Sequence, residues 1–228
     1  MLVLYAFNHE LARAREVASD PTLALIRLQW WREVVEGTHK PHEVATPLSD
    51  ALSAGALDPV RLLPLIEARE QEAYGDFMTQ ADWRDWLMAG PGGVAVAAAA
   101  ALGVLEPERC RTYGAAYGVA GLRRANLALA RQQRCLLPAD LLLAHGLLPE
   151  GFVADPTGAP ARAVLQAVAK VGRTWLAEAP PVPRNAIPAI LPAVLARRDF
   201  SRAPAPAMPR GLGDRLAVMM AALAGRVR

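Results

Sequence analysis

Six arginines and no carboxylate occupy the 31 residues from Arg109 to Ala139: Arg109, Arg111, Arg123, Arg124, Arg131 and Arg134. A guanidinium presents a planar fork of N–H donors that matches phosphate or carboxylate oxygens, so this stretch offers the chemistry of anion binding. A solvated helix face would read the same way, and spacing alone leaves both readings open. Other chemistry-bearing groups are sparser. His39, His42 and Glu43 carry metal-binding side chains, but Pro41 sits between the two histidines and the segment reads as a loop. His9 and His145 stand alone. Ser19, Ser49, Ser53 and Ser201 lie in no nucleophile-elbow context, and Cys110 and Cys135 have neither C-x-x-C spacing nor a base at a recognisable interval. No catalytic residue and no metal-ligand set is therefore assigned. Asp140, just after Leu137-Pro138-Ala139, is an acid at a predicted helix start, where the macrodipole favours it. Trp30, Trp31, Trp83 and Trp86 supply large apolar surfaces that either line a lipid-sized cavity or complete a core.

Helices must position these groups. Alanine and leucine run throughout and aromatic residues are only 6%, a bias toward helix over sheet, and no segment alternates with period two. Leu4, Phe7, Leu11, Ala14 and Ala18 recur at helical spacing. Ser19-Asp20-Pro21-Thr22 then stops that helix and caps a second, whose stripe of Leu23, Ile26, Trp30 and Val34 ends near Gly37. Further helices are predicted over 43–53, 59–74, 79–89, 94–105, 107–131, 138–145, 160–178, 187–197 and 212–226. Gly90-Pro91-Gly92-Gly93 reads as a break between two helices, and the small residues 94–101 after it suit either a tight helix contact or open volume beside a cavity. The last helix carries Leu212, Leu216, Met219, Met220, Leu223 and Val227 on one stripe, with Arg215, Arg226 and Arg228 adding charge. That pattern fits a closing helix or one lying on an anionic membrane. The proline-rich stretches 180–183 and 203–206 are stiff spacers too short to separate domains, so a single domain over 1–228 is expected.

Composition bounds the function. With 53% hydrophobic and 21% charged residues, the chain fills a core and is no disordered segment. A formal charge of +3 is too small to suggest a nucleic-acid partner. Two cysteines at unrelated positions fit a reducing compartment. Met1 to Phe7 runs straight into Asn8, His9 and Glu10 with no signal-peptide pattern, and the longest uncharged apolar stretch, 94–105, is 12 residues. A cytoplasmic location with peripheral contact at the inner membrane is the expectation.

Tyr5-Ala6-Phe7-Asn8-His9-Glu10-Leu11, followed by Ile26-Arg27-Leu28-Gln29-Trp30-Trp31-Arg32, resembles the opening of the squalene/phytoene synthase family. Ile66-Glu67-Ala68-Arg69-Glu70, residues 86–93, Leu137-Pro138-Ala139-Asp140-Leu141 with Gly146-Leu147, and Ile190-Leu191-Pro192-Ala193-Val194-Leu195 follow in the family's order. The chain starts inside the family's first helix, a short N-terminus by that comparison. The resemblance implies an all-α isoprenoid-synthase-type bundle around a central apolar cavity, where two prenyl diphosphates condense head to head with magnesium. Tyr5, Asn8, Arg13, Glu16, Arg123, Arg124, Arg131, Arg134 and Asp140 become the candidates for binding substrate or another anion in that cavity.

The family's first acidic pattern, D-D-x-x-D, falls on Ala12, Arg13 and Glu16, and its second acidic cluster falls in the arginine-rich, acid-free window. Magnesium takes carboxylate and phosphate oxygens. Two unit charges 4 Å apart interact by about 4 kcal/mol at an effective dielectric of 20, so an arginine in place of an acid repels the metal. Magnesium and its catalysis are expected to be absent. The Phe-Asn-x-Glu-Leu opening and the loss of both clusters resemble a branch of the family concerned with assembly of mitochondrial complex I. The implied reading is a catalytically degenerate protein that keeps the fold and cavity and engages an isoprenoid or other lipid, or respiratory-complex subunits. An active head-to-head prenyltransferase with an arginine-built diphosphate site, and a metal-free carrier of prenyl diphosphate, are the alternatives.

Overall fold

The computed structural model describes residues 1–16, 20–75, 77–202 and 209–227. The helices run α1 (Leu2–Glu16), α2 (Pro21–Val35), α3 (Ala45–Ser53), α4 (Pro59–Tyr74), α5 (Gln80–Ala89), α6 (Pro91–Ala101), α7 (Arg111–Arg131), α8 (Ala139–Ala144), α9 (Pro149–Ala154), α10 (Ala159–Glu178), α11 (Ile187–Ile190), α12 (Pro192–Phe200) and α13 (Leu212–Ala224). Single 3-10 turns at Pro107–Cys110 and Arg184–Ala186 lead into α7 and α11, and no strand occurs among the described residues.

Local chemistry sets several boundaries. The Asp20 carboxylate accepts from the Thr22 N–H at 2.8 Å with Pro21 in the first turn, and Asp58 accepts from Val60 N–H at 3.0 Å ahead of α4 in the same way. Thr79 caps α5 by accepting from Asp82 N–H at 3.1 Å.

α7 is the axis of the bundle. It packs on α5, α6, α9, α10 and α12, and glycine brings it against α6. A Cβ added at Gly114 would lie 2.4 Å from the Pro91 carbonyl oxygen and 2.7 Å from Ala95 Cβ; at Gly118 it would lie 2.6 Å from Pro91 Cγ. The two helices therefore meet backbone to backbone.

Several boundaries differ from the sequence expectation: α6 ends at Ala101 rather than at 105, and α7 begins at Arg111 after a 3-10 turn. The predicted break at Gly90-Pro91-Gly92-Gly93 reduces to Gly90 alone, because Pro91 opens α6 and Gly92 and Gly93 lie buried inside it. Side chains there would strike Arg111 at 3.0 Å and Leu65 Cδ2 at 2.7 Å, so packing outweighs the ~1 kcal/mol helix penalty of each glycine. The helix expected over 187–197 divides at Leu191 into α11 and α12, since Pro192 has no N–H to continue the ladder. In the C-terminal stripe, Val227 leaves its neighbours: Gly225 turns left-handed (φ 62°) and Val227 is buried. α9, six residues long, carries too little pattern to be read from sequence.

Candidate functional site: an apolar cavity with a neutralised polar edge

A cavity of about 550 Å³ opens between α1, α4, α5, α6, α7 and the α11–α12 corner. Its size falls within the roughly 300–1,000 Å³ of ordinary small-molecule sites. Leu87, Pro91, Val94, Ala95, Leu122, Ala189, Ile190, Pro192 and Ala193 make the walls mainly apolar. Val94 and Ala95 are the members of the small-residue run that reach the cavity; residues 96–99 pack into the core. The third glycine of α7, Gly121, also lines the space, and a Cβ built there meets no atom within 4 Å. Gly114 and Gly118 thus close the helix seam, while Gly121 leaves volume empty.

Several polar groups on the walls already have protein partners. Trp86 Nε1 donates to the Ala68 carbonyl at 2.9 Å, and the Tyr113 hydroxyl donates to the Pro180 carbonyl at 3.0 Å. Burial, reinforced by Tyr117, pushes the Tyr5 phenol above its ordinary pKa, so it stays neutral. Glu72 is the only carboxylate among the described lining residues. It accepts from Arg69 at 2.5 Å and from Arg134 at 3.3 Å, and is nearly fully buried. A single acid held between two guanidiniums does not fit the paired carboxylates that magnesium requires. No grouping of three His, Cys, Asp or Glu side chains suited to a metal occurs among the described residues.

The sequence-derived candidates scatter over the molecule. Tyr5 and Asn8 line the cavity. Arg134 reaches its edge through Glu72. Arg13 instead pairs with Glu10 at 3.1 Å beside a separate hollow of about 400 Å³ formed with Arg27, Trp30, Trp31 and His42. Glu16 ends α1, and its side chain lies outside the described set. Arg123 is buried away from the cavity, donating to the carbonyls of Asp199 at 2.5 Å and Arg202 at 2.6 Å, and Arg124 lies 3.6 Å from the Asp199 carboxylate. Arg131 is exposed in the last turn of α7, where its charge complements the helix dipole. Asp140 sits in the first turn of α8 and accepts from the Gln80 N–H at 3.0 Å, joining α8 to the start of α5 outside the cavity.

Arginine pairing explains the acid-free window. Carboxylates from elsewhere in the chain come to it: Glu106 to Arg109, Glu108 to Arg111, Asp199 to Arg124 and Glu72 to Arg134. The loop histidine is likewise structural. His42 Nδ1 accepts from the Val44 and Ala45 N–H groups at 3.1 and 3.4 Å, capping α3, and its ring stands edge-on to Trp30 and Trp31. Burial raises the Cys110 thiol to about 11, which keeps it protonated near neutral pH. Sequence reasoning missed Glu72, Tyr113, Tyr117 and the glycine notch. The one available signal was the spacing of Gly114, Gly118 and Gly121, which puts small residues on one face of α7.

An all-helical bundle around this cavity defines an isoprenoid-synthase-type protein, and the profile of the squalene/phytoene synthase family matches residues 1–206. The chain belongs to that family. Among individual relatives it is similar to NADH dehydrogenase (ubiquinone) complex I, assembly factor 6, of Mus musculus, 27% identical over 203 residues, covering 84% of this chain and 61% of that one. The Homo sapiens protein of the same name is 26% identical over 209 residues, covering 85% and 62%. The chain thus spans a little over three fifths of the length of these relatives. Among solved structures, a dehydrosqualene synthase in complex with ligand superposes with a TM-score of 0.74 at 12% identity, covering 97% of this chain and 84% of that one. Squalene synthase HpnC from Alicyclobacillus acidocaldarius gives 0.63 at 18% identity, covering 98% and 82%. These two superpositions establish the fold.

Proposed function

We propose that this chain is a catalytically silent member of its family that holds an isoprenoid or other lipid in the cavity and serves the assembly of a respiratory complex. The observation that carries the reading is the cavity's polar edge: one carboxylate, Glu72, neutralised by Arg69 and Arg134. Ala12 and Arg13 stand where the resemblance expects two further acids. Head-to-head condensation requires departure of diphosphate, whose charge a metal normally neutralises, and these side chains give the metal no place. The partner class is suggested by the relatives named as complex I assembly factors. A location at the inner membrane, reached by peripheral contact, agrees with that role and with the lack of any described helix long and apolar enough to cross a bilayer.

The test has two arms. Incubation with farnesyl or geranylgeranyl diphosphate, magnesium and reduced nicotinamide cofactor is expected to give no squalene, phytoene or cyclopropyl intermediate above the control without protein; ordinary turnover overturns the reading. Native mass spectrometry of gently purified protein is expected to show retained lipid or respiratory subunits. The substitution Gly121→Phe, which fills the notch, is expected to abolish lipid retention while leaving the fold intact.

A further inference from the structure

α13 is apolar on two opposite faces. At 100° per residue, Asp214, Ala217, Val218 and Ala221 share the side that packs on α12, and all four are buried or half-buried. Leu212, Leu216, Met219, Met220 and Leu223 fall on the other side and are exposed, from 49% for Met219 to 78% for Leu212. A helix that merely closes a bundle needs the first face; the second is a stripe of five large apolar side chains without a partner among the described residues.

Charge selects what covers it. Arg215 and Arg226 are both exposed at the ends of the stripe, whereas Asp214, the one carboxylate of the helix, lies on the buried face and accepts from Arg198 and Arg202, each at 2.7 Å. Every formal charge that α13 and its following turn show to solvent over the described residues is thus positive. A second copy laid on the stripe would set arginine against arginine, with no exposed α13 carboxylate to answer. An anionic bilayer offers both an apolar interior and opposite charge.

We propose that α13 docks this protein on anionic membranes, with its leucine and methionine stripe at the acyl boundary and Arg215 and Arg226 at the phosphates. α13 packs on α12, whose Pro192 and Ala193 line the cavity. The inference rests on the peripheral membrane contact of the proposed function and assigns its surface, and it holds whether or not the cavity carries a lipid.

Flotation of the full chain on phosphatidylcholine vesicles, with and without phosphatidylglycerol, tests it. Binding is expected on the mixed vesicles and roughly tenfold or more weaker on phosphatidylcholine alone. The paired substitutions Leu216→Glu with Leu223→Glu, and Arg215→Glu with Arg226→Glu, change exposed positions, so circular dichroism and melting should match the parent while flotation drops by a similar factor. Absence of flotation, or equal flotation by parent and variants, overturns the proposal. Self-association that disappears in Leu216→Glu with Leu223→Glu, without vesicle binding by the parent, also overturns it and makes a second copy the occupant.

Discussion

Gly114 and Gly121 are both in α7, seven residues apart, yet a methyl group at each has opposite consequences. At Gly114 the methyl meets the Pro91 carbonyl oxygen at 2.4 Å, a backbone atom that cannot step aside, so overpacking of about 1–3 kcal/mol should outweigh the helix-propensity gain. At Gly121 it meets open space, and Gly121→Ala should stabilise by about 0.5–1 kcal/mol. Urea titration of the two variants checks the pair. Cys110 supplies a second test at this scale. With the thiol raised to about 11 and the side chain fully buried, it should resist modification by a thiol reagent at neutral pH until the protein unfolds.

At the scale of elements, the junction of α7, α12 and α13 is ionic. Arg123 binds two carbonyls at the end of α12, Arg210 binds the Asp199 carboxylate with both terminal nitrogens at 2.6 and 2.7 Å, and Arg198 and Arg202 close on Asp214. Truncating Arg123 to Ala removes charged hydrogen bonds and leaves buried carbonyls unanswered, which should cost about 2–4 kcal/mol by chemical denaturation. Asp214 gives the junction a pH dependence. Hydrogen bonds from Arg202, then Arg198, hold its carboxyl well below the usual range. A depressed carboxyl stabilises the fold above its unfolded value near 3.8, and the contribution is lost as pH falls below that toward the folded value. Acid titration should show α13 losing hydrogen-exchange protection below about pH 4, and Asp214→Asn should be less stable at neutral pH with a flatter acid limb. These contacts also mark what sequence could reveal. The Asp20 cap acts within three residues and was legible, as were the helical stripes. The partners of Arg123, Arg124 and Arg134 lie 62 to 79 residues away, so their pairing was invisible and their charge looked available.

For the whole molecule, the fold was legible because 3.6-residue patterning and the family's ordered blocks agree along the chain. The cavity was legible only in part: Tyr5 and Asn8 belong to the opening block of the resemblance, but Glu72 enters only when α4 folds onto α1 and α6. The glycine seam has a consequence for how such a protein changes over generations. Positions 114 and 118 admit no added methyl without separating α6 from α7, so packing penalises their replacement whether or not anything occupies the neighbouring space. Position 13 is an exposed arginine on the outer face of α1, and replacement there disturbs no neighbour in the core. Packing by itself would therefore keep the hollow beside this seam in place while exposed positions such as 13 change freely.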